Sequence, residues 1–369
     1  MKNVSILILL AVTLFSAEYL TNKSCNECHP DIYDEYQSSY HSKTYFNDEL
    51  HRKVAQKVPV YDCGRCHMPA AKNLSDMEAG KTTPNPIHKE QKDAISCFYC
   101  HQIAYVKKSH KFNINTLARQ AAGYKPTLYG SLDNPDDSDK HGMVKSPIYD
   151  KYACMGCHSH KRNAQGVLIF KAMDENQDSK GCIKCHMPYI EGPVEKMNKR
   201  SRTEHRSHFF AGIHDAEMRT KSVDITIRPE GNTIHVVIEN KMEHPLIVQA
   251  ARMKYLKLKV IRDGKVIWEN FKTDPMEDKQ ATFVTEFADE HGKRVAIPYF
   301  AKKRGFVNNL GAKEKKEFVY KVPSLHKNDR IVAEMYVILA KPSCAAVLDL
   351  EDKTLTEPIL MKKVETIVK

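Results

Sequence analysis

Residues 25–41 read CNECHPDIYDEYQSSYH. Two cysteines stand three apart, a histidine follows the second directly, and another histidine closes the stretch twelve residues later. The first part of this pattern recurs. Cys-x-x-Cys-His occurs five times, at Cys25/Cys28/His29, Cys63/Cys66/His67, Cys97/Cys100/His101, Cys154/Cys157/His158 and Cys182/Cys185/His186, and uses ten of the eleven cysteines. A disulfide framework needs no histidine after every second cysteine. Zinc sites do use Cys-x-x-Cys, but they draw ligands from two such pairs and leave five histidines at one offset unexplained. The spacing is that of covalent haem attachment: each thiol adds to one vinyl group, and the adjacent histidine is then placed to bind the iron from one side. The expected cofactors are five covalently attached haem c, with the ten cysteines as attachment points and His29, His67, His101, His158 and His186 as proximal ligands.

The closing histidine needs its own reading. Pro30 suits the first turn of a helix, and Asp31, Asp34 and Glu35 suit the positive end of its dipole. If residues 30–41 are helical, His41 stands about 18 Å along the axis from His29 and about 120° around it. An intact helix then keeps the two rings from opposite faces of one iron, so His41 serves a second haem or none. A helix that carries the proximal ligand of one haem and the distal ligand of its neighbour would tie stacked haems together.

The stretch resembles the opening of multihaem cytochromes of the cytochrome c-554 type, in which Cys-x-x-Cys-His leads a helix ending in Ser-x-His, here Ser39-Tyr40-His41. Further echoes are ISCFYCHQI (95–103), KYACMGCHSHKRNAQGV (151–167), CIKCHMP (182–188) and SHFFAGIH (207–214). The resemblance spans residues 24–215. It implies a periplasmic stack of c-type haems, most with two histidine ligands, and leaves the reaction open.

Eighteen histidines less the five in the motifs leave thirteen from which distal ligands are drawn. His41 is a candidate on helix geometry and resemblance together. The resemblance adds His141, in KHGMVKSP, and His208, in SHFFAGIH. His214, which closes that stretch, and His110, nine residues after His101, complete the set. His51, His88 and His244 stand behind these. His160 is two places from His158, cannot face the same iron, and is expected at the surface. Met68 and Met187 directly follow proximal histidines and are expected to pack against porphyrin.

The leader MKNVSILILLAVTLFSA (1–17) reads as an export signal. Lys2 gives a positive start, and Val4 to Phe15 form an apolar run shorter than the about 20 residues a membrane-spanning helix needs. Cleavage after Ala17 is expected. Phe15 is a poor residue three places before that cut, so an uncleaved N-terminal anchor is the alternative. The expected location is the periplasm. Hydrophobic residues make up 41% of the chain, with one Trp. Five motifs crowd residues 18–215 at roughly 40 residues each, too few to build a conventional core around each. Haems are expected to fill that interior, wrapped by short helices and loops. The run SLDNPDDSDKHG (131–142) is turn-rich and acidic, a surface loop. The formal charge of +11 and the basic run EKMNKRSRTEHR (195–206) invite a nucleic-acid reading. Two propionates on each of five haems would cancel most of that charge. The basic run is then a solvated segment near propionates, and no nucleic-acid partner is expected.

From residue 216 the texture changes. SVDITIRPEGNTIHVVIEN (222–240) alternates apolar and polar residues around a turn, and YLKLKVIRDGKVIWEN (255–270) repeats the form around Asp263-Gly264. EFVYKVP (317–323) and IVAEMYVILA (331–340) add strands. The expected fold is α+β: a signal peptide at 1–17, a mostly helical and irregular domain wrapped around five haems at 18–215, and a small antiparallel β-sandwich at 216–369. Cys344, the odd cysteine, is expected as a buried apolar residue. The favoured function is electron transfer between redox partner proteins, a membrane quinol-oxidising cytochrome being one candidate and peripheral membrane association a further option. The alternative is a reductase of a small nitrogen or sulfur compound, which needs one iron with an open face. A third reading makes the β-domain a binding module. Catalytic residues are not legible.

Overall fold

The computed structural model describes residues 19–43, 45–107, 112–116, 125–173 and 181–369. Two ways of building meet at residue 216. Before it, among the described residues, helices run for at most nine residues and strands for at most four, paired only in twos. The helix that follows the first motif, α1 (Pro30–Ser38), begins on Pro30 with Asp31 in its first turn. It does not run through to His41. Ser39 is extended, its hydroxyl accepts from the His41 N–H at 3.2 Å, and a separate 3₁₀ turn, Tyr40–Ser42, carries the histidine. A serine hydroxyl competes with the backbone for that donor and breaks the helix there. A second helix, α2 (Glu49–Lys57), is capped by Asp48, which accepts from the His51 N–H at 2.9 Å. The buried apolar cluster wholly inside this half is small: Tyr61, Met68, Ala71 and Met77 are its fully buried members.

After residue 216 a conventional core appears. The boundary falls at Asp215, which caps the helix Ala216–Ser222. Ten strands follow: β1 (Val223–Glu230), β2 (Thr233–Asn240), β3 (Met253–Arg262), β4 (Lys265–Glu269), β5 (Thr282–Ala288), β6 (Arg294–Val295), β7 (Lys303–Asn308), β8 (Lys315–Lys321), β9 (Arg330–Ile338) and β10 (Ile359–Ile367). One sheet has the order β8-β2-β1; the other runs β6-β5-β3-β9-β10, with β4 on β3 and β7 on β5, all antiparallel. The β3–β4 hairpin turns on Asp263 and Gly264, with φ of 48° and 77°, the left-handed pair that a two-residue loop between twisted strands requires. Ile234, Val236 and Ile238 alternate inward from β2 and join Leu256, Leu258, Val260, Ile331, Ala333, Met335 and Val337 of the larger sheet in one apolar cluster. β3 is buried on both faces for most of its length. The sequence reading foresaw β1–β4, β8 and β9. It passed over β5, β6, β7 and β10: β5 is buried almost throughout and does not alternate, β6 is two residues long, and charged pairs interrupt β7 and β10.

The halves are stitched together. Lys171 N–H donates to the Val248 carbonyl at 3.1 Å, and Asn163 Nδ2 donates to the carbonyls of Pro298 and Ala301 at 2.9 and 2.8 Å. On the other flank Leu50, Val54 and Val58 pack against Ile297, Cys344 and Leu348. Glu49 accepts the Asp352 N–H at 2.8 Å. Cys344 lies in helix α3 (Pro342–Leu348) and is 2% exposed; burial pushes its thiol pKa up.

Two expectations need correction. The basic run is not merely solvated: Arg200 and Arg202 both bind Asp136 of the acidic loop, at 2.6 and 3.0 Å. His160 is not at the surface. It opens the strand His160–Arg162, is 5% exposed, and has Nδ1 at 3.2 Å from the Ser159 hydroxyl. Among the described residues, no helix is long and apolar enough to cross a membrane.

Candidate haem sites

Each motif folds as a single helical turn. The histidine N–H donates to the carbonyl of the first cysteine in His29, His67, His101 and His158, at 3.0, 3.1, 2.9 and 2.9 Å, and the fifth motif is the helix Cys182–His186. Cysteines three apart on such a turn share one face. Numbering the sites by motif, the thiol of Cys25 neighbours that of Cys97, joining sites 1 and 3. Cys66 neighbours Cys157, joining sites 2 and 4, and Cys154 neighbours Cys182, joining sites 4 and 5.

The motif cysteines are not equally enclosed. Cys28 and Cys185 are exposed, whereas the other eight motif cysteines are half-buried. Each exposed residue is the second cysteine of its motif, and sites 1 and 5 end their rows. In both motifs the first cysteine, Cys25 or Cys182, turns toward the neighbouring site, and the second is left on the open side. A thioether bond needs reach to a vinyl group rather than burial, so exposure alone does not remove Cys28 or Cys185 from the attachment set.

Every motif histidine faces another imidazole. Ring centres are 6.3 Å apart for His29 and His141, 6.2 Å for His101 and His208, 5.9 Å for His158 and His41, and 6.4 Å for His186 and His244. A metal–imidazole bond of about 2 Å on each side puts two trans rings about 6 Å apart, so these four gaps fit one iron each. Among the described residues no three His, Cys, Asp or Glu side chains converge on a metal position. A lone pair of imidazoles suits a metal whose remaining ligands come with it, as in a porphyrin.

Hydrogen bonding supports the same fit. His29, His101 and His186 hold Nδ1 on the carbonyls of Val194, Tyr129 and Ala211 at 2.6, 2.7 and 2.6 Å. Of the facing rings, His208 and His244 do so on Arg206 and Pro245 at 2.8 and 2.9 Å. A carbonyl at Nδ1 fixes the tautomer and leaves the Nε2 lone pair for a metal. Burial favours the neutral, ligating form of His41, His208, His158 and His244. It pushes the pKa of His41 and His208 down to about 3 and that of His158 and His244 down to about 4, with the facing or neighbouring histidine adding to the effect. Glu35 of α1 sets His208 from behind: its carboxylate accepts the His208 N–H at 2.6 Å and contacts His205 Nε2 at 2.8 Å. Phe210 lies edge-on to both His41 and His208, with centres 4.2 and 5.9 Å away.

The second site differs. His51 and His67 are only 4.2 Å apart and tilted by 47°. His51 Nε2 is hydrogen-bonded to the Tyr61 hydroxyl at 2.9 Å, and its Nδ1 is buried without a partner. Nε2 of His51 is therefore engaged by Tyr61, and Nδ1 is the ring nitrogen without a hydrogen-bond partner.

Among the sequence-derived candidates, His41, His141 and His208 are brought opposite motif histidines. His110 lies outside the described residues. His214 is not opposite any motif histidine; it stacks on Tyr40 with centres 3.3 Å apart and planes 9° apart. His88 is exposed at the start of the helix Lys89–Lys92. His244 and His51, ranked low on sequence, are the rings that face His186 and His67. Neither sits in a Cys-x-x-Cys-His motif, and the fold brings both to motif histidines.

A family model described as cytochrome c554 and c-prime matches residues 24–102. The chain is similar in structure to a penta-heme cytochrome c552 from Thermochromatium tepidum, with a TM-score of 0.75 and 23% sequence identity over 95% of this chain and 99% of that one. A superoxide reductase from Nanoarchaeum equitans aligns with 41% of this chain and 94% of its own at 13% identity, with a TM-score of 0.17. A search of curated protein sequences finds no match.

Proposed function

Taking the chain as a multihaem c-type cytochrome, we propose that it is an exported electron carrier with five covalently attached haems, most of them held between two histidines. Bound haem supplies the iron couple that gains and loses one electron. The protein's own part is to fix ligands, spacing and surroundings. The observation that carries this reading is the set of four imidazole pairs at 5.9 to 6.4 Å. His141, His208, His41 and His244 are then the distal ligands opposite His29, His101, His158 and His186. The neighbouring thiols give the order of sites as 1–3 and 2–4–5, so the path does not follow the sequence. Location in the periplasm rests on the leader and on the chemistry of the motifs, since c-type haem is attached outside the cytoplasm. The donor and acceptor are proposed as redox proteins, a membrane quinol-oxidising cytochrome among the candidates. The two sheets and their common apolar cluster support the β-sandwich reading of residues 216–369.

The deciding experiment is EPR of the fully oxidised protein with haem content measured alongside. Five haems with low-spin signals from at least four support the proposal. High-spin iron at most sites would sink it. A second reading, a reductase of a small nitrogen or sulfur compound, is favoured by one observation: His51 is held on Tyr61 and too close to His67 to bracket a metal. One high-spin haem that binds hydroxylamine or sulfite would support it. Five low-spin haems inert to both would remove it.

A further inference from the structure

Two basic side chains, Arg252 and Lys254, sit at the seam between the halves, and among the described residues neither forms an ion pair. Arg252 and Lys254 are two apart, Arg252 directly before β3 and Lys254 within it, and the charge of Arg252 reaches Lys254. Lys254 is 4% exposed and spends one donor on the Leu246 carbonyl at 2.8 Å, leaving two. Among the described residues, the Arg252 guanidinium makes no ion pair and no side-chain hydrogen bond, and burial pulls its pKa down to about 10. The charges of both reach His244, and that of Arg252 also reaches His158, Tyr40 and His214. More positive charge gathers there. Lys43 lies 4.3 Å from the Tyr40 ring centre, and Arg219 has a buried Nε with no partner. Two acids whose charges reach Tyr40 serve as helix caps: Asp48 accepts the His51 N–H and Asp352 the Thr354 N–H.

Lys254 is buried and Arg252 half-buried, and enclosing positive charge without a counter-charge is unfavourable. A folded chain keeps such a pair where an anion completes it. The required group must reach the seam beside His244, be anionic, and suit a planar fork, which describes a carboxylate. We propose that Arg252 and Lys254 form a carboxylate site for the propionates of the haem held between His186 and His244, and that they raise that haem's reduction potential. The β-half would then supply the fifth site with its distal ligand and its charge balance together. Positive charge beside the iron favours the reduced form, which carries one positive charge fewer. The inference rests on the covalent-haem reading, which haem content of the unmodified protein tests separately.

The test is a potentiometric titration of wild type, R252Q, R252K and K254M, followed by visible absorption and EPR. Each variant is first checked for unchanged haem content and low-spin signals, so R252K and K254M carry the test if R252Q fails to fold. The expected result is one haem whose reduction equilibrium falls at least tenfold in R252Q, a shift of about 59 mV to lower potential for one electron. R252K should recover part of the shift, since it restores charge without the fork, and K254M should move the same haem downward. Unchanged potentials in all three variants, with haem content intact, would overturn the proposal. Sodium nitrite and sodium sulfite form the second arm, because a small oxoanion shares the chemistry of a carboxylate. Saturable shifts caused by these anions in wild type and abolished in R252Q would mean that the site takes a diffusible anion, and would overturn the propionate assignment.

Discussion

His244 and His51 are both half-buried residues whose rings face a motif histidine, and they differ in what holds them. His244 rests Nδ1 on the Pro245 carbonyl and leaves Nε2 free, whereas His51 has Nε2 on Tyr61. His244→Ala is therefore expected to keep five attached haems and turn one low-spin ferric iron high-spin, read by EPR; an unchanged spin count would remove His244 from the ligand set. Tyr61→Phe deletes a hydrogen bond worth about 1 kcal/mol and frees His51 Nε2. Any high-spin signal from the second site should shrink in this variant. A signal that stays the same size would mean that Tyr61 does not hold the ring away. In the β-half, Asp329 accepts two hydrogen bonds from Arg262, both at 2.8 Å, and one from the His326 N–H at 2.7 Å. These, Arg262 first, pull its pKa down to about 2. Its folded pKa lies below the unfolded value, so the stabilisation is complete above about pH 4 and is lost as pH falls through 2. Asp329→Asn should cost about 1–2 kcal/mol at pH 7, and its difference from wild type should vanish near pH 2 in thermal melts followed by circular dichroism.

The fourth motif shows how tightly a single turn is packed. A Cβ on Gly156 would lie 1.9 Å from Asn113 Oδ1 and 2.6 Å from the Asn113 backbone nitrogen. Backbone cannot step aside as a flexible side chain does. Gly156→Ala is thus expected to displace the strand Asn113–Asn115 and cost about 1–3 kcal/mol, seen as a lower melting temperature by visible absorption with the haem count retained. Elements of this kind explain what was legible beforehand. The five turns were readable because attachment chemistry fixes cysteine and histidine spacing inside five residues. That spacing says nothing of which thiol faces solvent, so the exposure of Cys28 and Cys185 emerges only from how the turns are arranged. The separation of His29 from His41 was readable too, although Ser39 interrupts the helix, because a break does not bring the two rings to one iron. The single-turn helices and two-stranded ladders left no periodic signal. α2, which carries His51, was missed for a different reason: its apolar side chains Leu50, Val54 and Val58 are few and face the β-half rather than a local core.

At the scale of the molecule, the sequence marked the change of texture at 216 but not the dependence of one half on the other. That dependence runs through residues outside any motif: His244 across from His186, Asn163 on the Pro298 and Ala301 carbonyls, and Glu49 on the Asp352 N–H. A chain lacking residues 216–369 is accordingly expected to lose low-spin character at one site or more, measured by EPR per haem. Spectra identical to those of the full chain would show the β-half to be a separate appendage.

The paired histidines also impose a timetable. On the proposed pairing His29 must await His141, His41 must await His158, and His186 must await His244, each partner lying later in the chain. Long intervals between contacts slow the search for them. Haem attachment needs only the five residues of a motif, so it can finish on a chain that is still largely open. Ligand closure is then the later event, and the fifth site closes last of all. Maturation would pass through species that carry every cofactor yet still have unfilled iron positions, and the arrival of the β-half would end that vulnerable interval.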